Sequence, residues 1–186
     1  MFYSGQGKVQ VQASSIDFDK YITIYPDFPR PGILFRDISP LLASAKGMNC
    51  AIDQLAAQVA GLELDLVAGI ESRGFLFSTP LASRLGVGSI MIRKPGKLPG
   101  NLVHESYDLE YGSAELTMQA DAPVAGRSVL LVDDLMATGG TMMAAKSLLV
   151  GCGALVPACV VIIELAGLGG RAVLDMPLIA LKAYDD

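Results

Sequence analysis

Three short, almost wholly apolar runs constrain this chain most: "LDLVAGI" (64–70), "SVLLV" (128–132) and "LVPACVVIIEL" (155–165). A strand with one wet face alternates apolar and polar residues. These runs do not alternate, so both of their faces must be covered, as in a parallel sheet with helices on either side. Between the runs the period changes. Met48, Ala51, Ile52, Leu55, Ala56, Val59 and Ala60 recur at helical spacing over 45–60 and end near Gly61. "SIMIRK" (89–94) and "LIALKAY" (178–184) read as further strands, and a helix is expected over about 140–150. Ser78 or Thr79 before Pro80 predicts a cap and first turn for a helix reaching Gly86. The expected fold class is α/β, with a mainly parallel central sheet flanked by helices.

At 186 residues the chain suits one domain. That domain is expected to span 16–186, after a loose polar arm at 1–15. Residues 17–42 carry four prolines and several aromatics, which predicts a compact, irregular segment. "PGKLPGN" (95–101) reads as a mobile loop, and "YDLEYGSAELTMQ" (107–119) as a hairpin turning near Gly112–Ser113. The uncharged stretch 147–163 is interrupted by Gly151, Gly153 and Pro157, so it reads as helix end, turn and strand rather than a membrane span. The N-terminus lacks the apolar segment of a signal peptide. Cys50, Cys152 and Cys159 show no CxxC spacing, which fits buried thiols in a reducing cytoplasm. A net charge of −5 without an evident basic face argues against a nucleic-acid surface.

Ligands of such sheets sit beyond the carboxyl ends of the strands, so the strand exits carry the chemistry. Strand 128–132 is expected to exit into "DDLMATGGT". Backbone N–H groups of a Gly-rich turn at a helix N-terminus form an anion cradle, to which Thr138 and Thr141 add hydroxyls. An ordinary strand-to-helix turn is the alternative. No lysine follows the glycines, so this is not the loop of a nucleotide triphosphatase. Asp133 and Asp134 precede the cradle. Neighbours in a strand face opposite ways, so holding one metal together would require the strand to end there. A vicinal diol is another partner, since each hydroxyl can donate to a carboxylate. A ribose 5-phosphate offers both a diol and an anion. "ESRG" (71–74) places Arg73, suited to bidentate phosphate binding, after a buried strand, where a plain surface arginine is the other option. Arg93, Lys94 and Lys97 form a local basic cluster that could close over a polyanion. His104, the sole histidine, reads as a surface residue. "GLGGRA" (167–172) fits a dinucleotide fingerprint, but too little chain follows for a full binding unit, so it reads as a turn.

The stretch "VLLVDDLMATGGT" resembles the phosphoribosyl diphosphate signature of the type I phosphoribosyltransferase family. "FPRPGILFRDISPLL", "ESRGFLF", "IRKPGKLPG" and "YDLEYGSAEL" resemble, in order, the base-site segment, diphosphate loop, flexible lid and catalytic-loop end of its adenine-using branch. The resemblance runs from about residue 17 to the C-terminus. It implies a small N-terminal hood over about 17–43 and a lid over about 94–112. It implies that Asp133 and Asp134 hold the ribose hydroxyls and that Ala137, Thr138, Gly139, Gly140 and Thr141 hold the 5-phosphate. Arg73, Lys94 and Lys97 would contact the diphosphate. Phe28 and Arg30 would frame adenine, Arg30 largely through its backbone. Glu110 would be the catalytic acid/base, with Tyr111 beside it on the lid. The implied reaction converts adenine and phosphoribosyl diphosphate to AMP and diphosphate, with Mg2+ held mainly by substrate, in a homodimer that binds neither nucleic acid nor membrane. Ser78 departs from a frequent glycine, and Asn101 with "LVHES" departs from the commoner lid sequences; both are expected to bear on lid closure.

Overall fold

The computed structural model describes residues 16–109 and 112–185. Its central sheet has five strands: β3 (Leu66–Ile70), β4 (Gly88–Ile92), β7 (Val129–Met136), β8 (Cys159–Leu165) and β9 (Leu178–Tyr184). They run in the order β4-β3-β7-β8-β9, every neighbouring pair parallel. The uniformly apolar strands follow from two cores, one on each face. Val67, Leu130, Val132, Val160 and Ile162 point into a core with α2 (Ala45–Val59) and α3 (Phe75–Leu85). Ala68, Ile70, Val129, Leu131 and Val161 point into the opposite core, with α4 (Gly140–Gly151). Along most of these strands successive side chains turn to the two cores in alternation, so both directions lead to apolar neighbours.

An antiparallel hairpin of β5 (Leu102–Leu109) and β6 (Gly112–Gln119) covers the α4 side through Val103, Leu116 and Met118. The short strands β1 (Thr23–Tyr25) and β2 (Phe35–Asp37) pair antiparallel ahead of α1 (Ser39–Leu42). This N-terminal segment is irregular as expected, and polar contacts fasten it to β9. Asp19 accepts from Lys182 Nζ and Tyr184 Oη, each at 2.7 Å. The Arg36 guanidinium lies 3.7 Å over the Tyr184 ring. The uncharged stretch at 147–163 divides into the end of α4, a turn and β8. Among the described residues no helix is long and apolar enough to cross a membrane.

Three boundaries differ from expectation. Helix α3 starts at Phe75, so Ser78 and Pro80 lie inside it rather than at its cap. The interior proline costs ~3 kcal/mol. Full burial of Phe77 and Leu81 offsets this, at roughly 1.5–3 kcal/mol each. Ser78 is itself buried, and Gly69 makes its space: a Cβ there would fall 2.2 Å from Ser78 Oγ. Ser78 thus packs beneath β3. Strand β7 runs on to Met136, because β8 continues to pair with it at Asp133, Leu135 and Met136. The two aspartates therefore lie within the strand, and the exit comes at Ala137. The hairpin closes at the Leu109–Gly112 pair, earlier than Gly112–Ser113, in a register that sets Val103 opposite Met118. Among the described residues of the expected lid, 94–101 are irregular and 102–109 are paired strand. Glu110 and Tyr111 lie outside the described residues.

Candidate active site

The carboxyl ends of β3, β4 and β7 open side by side, as parallel pairing requires. From β7 the chain passes through Ala137 and Thr138 to Gly139, which caps α4 at φ 91°. That left-handed turn suits glycine, and the first N–H groups of the helix it opens have no partner within the helix. The loop and the Asp133 side of β7 line a cleft of about 160 Å³.

A support for this loop came from the segment read as a plain turn. Gly170 opens the short helix α5 (Gly170–Val173) and packs directly on the cradle backbone. A Cβ on Gly170 would lie 2.1 Å from the Ala137 carbonyl oxygen and 3.0 Å from the Gly139 nitrogen. Arg171, the next residue, donates to both carboxylate oxygens of buried Glu164 and to the Leu178 carbonyl, fixing the turn to β8 and β9. The turn is therefore a buttress, a role no local pattern in "GLGGRA" announces.

Asp134 is 4% exposed and Asp133 half-buried, adjacent within β7. The Asp134 N–H donates to Asp133 Oδ1 at 2.8 Å. Burial raises both carboxyls above the ordinary range. The Asp134 charge pushes Asp133 up further, while the Arg73 guanidinium opposes the rise at Asp134. Arg73 Nε stands 3.0 Å from Asp134 Oδ2, an ion pair without the alignment of a hydrogen bond, which leaves that buried oxygen unbonded. The same guanidinium sits 5.8 Å from the Phe35 ring centroid. Arg73 thus spans from the aspartates to the N-terminal aromatic cleft.

That cleft holds about 550 Å³ between Tyr25, Phe28, Phe35 and Asp37. Phe28 and Phe35 meet edge to face at 5.0 Å, and Phe28 remains 53% exposed, a flat apolar face open to a planar ligand. Arg30 shapes the loop through its backbone, its carbonyl accepting from the Ile33 N–H at 3.2 Å. Phe35 lies within the base-site segment but was not singled out there, and Tyr25 lies outside it; pairing of β1 with β2 brings the two together.

Lys94 and Lys97 are exposed at the same edge. Arg93 is not a free member of the basic cluster. Its Nε lies 3.1 Å from Glu71 Oε2, and its Nη1 donates to the Lys97 carbonyl at 3.0 Å. Glu71 also accepts from the Lys94 N–H at 3.0 Å. Burial alone would raise the Glu71 carboxyl, but the Lys94 N–H and the Arg93 guanidinium outweigh it and hold it below the usual range. Glu71 was passed over in "ESRG", yet it ties the Arg73 loop to the root of the lysine loop. His104 is exposed as expected, and gains a cross-strand partner in Glu115 at 2.7 Å.

A family model described as phosphoribosyl transferase domain matches residues 38–177. An adenine phosphoribosyltransferase from Gluconacetobacter diazotrophicus is 51% identical over 173 residues, covering 93% of this chain and 98% of its own. The crystal structure of adenine phosphoribosyltransferase from Thermoanaerobacter pseudethanolicus matches with TM-score 0.87 and 45% identity, over 90% of this chain and 98% of that one. The Saccharomyces cerevisiae enzyme, complexed with adenine and D-2,5-dideoxy-2,5-imino-altritol 1,6-bisphosphate, matches with TM-score 0.83 and 38% identity, over 88% and 96%.

Proposed function

The chain belongs to the adenine phosphoribosyltransferases, and from that membership we propose that it transfers the 5-phosphoribosyl group of phosphoribosyl diphosphate to adenine, giving AMP and diphosphate. One observation carries the reading. A single strand-to-helix connection sets two carboxylates next to a Gly-rich anion cradle, and Arg73 links them to an open aromatic cleft. A sugar phosphate needs acceptors at its hydroxyl edge and donors at its phosphate.

Asp133 and Asp134 accept from the ribose hydroxyls, and residues 137–141 hold the 5-phosphate. Adenine stacks in the cleft at Phe28, with Arg30 offering backbone groups at its edge. Arg73, Lys94 and Lys97 hold the diphosphate. Adenine N9 bonds to C1 of the ribose as the C1–O bond to diphosphate breaks and the electron pair leaves with diphosphate. The cationic side chains stabilise that growing negative charge. The N9 proton passes to Glu110, the acid/base of the reaction.

The donor set fits Mg2+. The unbonded Asp134 Oδ2 would supply one hard carboxylate oxygen, and magnesium typically takes one or two carboxylates together with substrate phosphates. When bound, mainly through substrate oxygens, it would supply neutralisation of the diphosphate. Residues 94–112 serve as the lid and 17–43 as the hood of one domain, 16–186. A homodimer is the expected assembly, for which the outer strand β4 with exposed Met91 offers a surface. Cys50, Cys152 and Cys159, present as thiols, accord with a cytoplasmic location.

Purified protein supplied with Mg2+, phosphoribosyl diphosphate and adenine, hypoxanthine, guanine or orotate in turn is expected to form nucleotide chiefly from adenine. No AMP from adenine would overturn the reading. Glu71→Ala is expected to raise the KM for phosphoribosyl diphosphate about tenfold, since hydrogen bonds to a charged group contribute ~1.5–3 kcal/mol. The KM for adenine stays unchanged. Steady-state kinetics decides it, and an equal rise in both constants would count against a role at the diphosphate end.

A further inference from the structure

Among the described residues, a polar contact joins the β5–β6 hairpin to the phosphate cradle. Thr141 Oγ1 donates to Tyr107 Oη at 3.1 Å. Thr141 stands in the first turn of α4, in the loop assigned to the 5-phosphate. Tyr107 stands on β5, three residues before Glu110, and its ring packs on the core beneath the hairpin. Phenylalanine would fill that packing role equally well, so the hydroxyl and its aim at the cradle need a separate account.

We propose that Tyr107 is a positioning residue that couples the 5-phosphate cradle to the hairpin leading to Glu110. The inference rests on reading 137–141 as the 5-phosphate site. A hydroxyl donates one proton and accepts through its lone pairs. A phosphate oxygen is a stronger acceptor than a phenol oxygen, so a bound 5-phosphate draws the Thr141 proton toward itself. The Thr141 oxygen then accepts from the Tyr107 O–H. The contact survives with its direction reversed, and the relay from Tyr107 through Thr141 to phosphate reinforces both bonds. Filling the cradle thereby tightens β5 against α4 and sets the register of the catalytic end of the hairpin. Tyr107 acts on the substrate only through Thr141.

The test uses the full chain, with ribose 5-phosphate and diphosphate as separate binding probes beside steady-state kinetics. Tyr107→Phe is expected to weaken ribose 5-phosphate binding and raise the KM for phosphoribosyl diphosphate by about three- to tenfold, the range of one hydrogen bond. Diphosphate binding and the KM for adenine stay as in the parent, and kcat falls. Thr141→Val weakens ribose 5-phosphate on its own, and adding Tyr107→Phe to it brings no further loss. Thr141→Ser, which keeps the hydroxyl, restores the sensitivity to Tyr107→Phe. A melting curve for each variant confirms folding. If Thr141→Val weakens ribose 5-phosphate but Tyr107→Phe does not, the coupling is wrong and the cradle stands. If Tyr107→Phe has its full effect in the Thr141→Val background, the tyrosine acts by packing and the proposal is overturned. If Thr141→Val leaves ribose 5-phosphate binding intact, the cradle reading itself falls, and the proposal with it.

Discussion

Gly170→Ala is expected to lower kcat/KM for phosphoribosyl diphosphate by about a hundredfold or more while the protein stays folded. The added Cβ would meet the Ala137 carbonyl oxygen at 2.1 Å and the Gly139 nitrogen at 3.0 Å. Both atoms belong to the main chain of the cradle, so no side-chain rotation relieves the clash. The turn is held from behind by the Arg171–Glu164 pair and the Leu178 carbonyl, so the cradle must yield. A misplacement of about 1 Å at a site that orients substrate can cost ~10²-fold. The loss should appear in ribose 5-phosphate affinity and spare binding of diphosphate alone. Gly151→Ala is the control: it lies at the far end of the same helix, with no atom within 4 Å of the new Cβ. Parent-like affinity for ribose 5-phosphate in Gly170→Ala would show that the buttress does not hold the loop.

Glu110→Ala is expected to reduce kcat by ~10²–10⁴-fold, the range for a positioned general acid or base, with little change in KM for either substrate. The expectation comes from the family pattern in "YDLEYG" and from chemistry that must dispose of the N9 proton. It does not rest on geometry, because residue 110 lies outside the described part of the chain. A group that only binds substrate would shift KM instead, so the two constants separate the roles. An unchanged kcat removes Glu110 from the mechanism and leaves the proton to diphosphate or solvent.

The two expectations differ in how legible their residues were. Glu110 stands in a motif. Gly170 stands in a segment that, by sequence, looked like a spurious dinucleotide fingerprint, and its role exists only because α5 folds back on the loop before α4. Arg93 shows the reverse case. A basic residue in a basic loop suggested a ligand-binding cation, but Glu71 engages it, and together they shape the loop that presents Lys94 and Lys97. The helix start was misplaced because Ser78 and Pro80 form a good local cap signal, which burial of Phe77 and Leu81 overrides.

The chain alone determined whatever depends on neighbours in sequence. Runs almost wholly apolar, without alternation, demanded a sheet covered on both faces. Gly139 and Gly140 beside two threonines marked an anion turn, and the aspartates just before it called for a ligand with two kinds of chemistry. Tertiary structure decided which distant residues meet. Pairing with β8 carried β7 past the aspartates and kept them within the strand. Packing of the hairpin on α4 joined Tyr107 to Thr141, 34 residues apart. Closure of β1 on β2 made the aromatic cleft, and Arg73 bridged it to Asp134. Local periodicity reports which way a side chain faces within its own element. Register and packing between elements decide what it finds there, and the substrate-holding geometry depends on both.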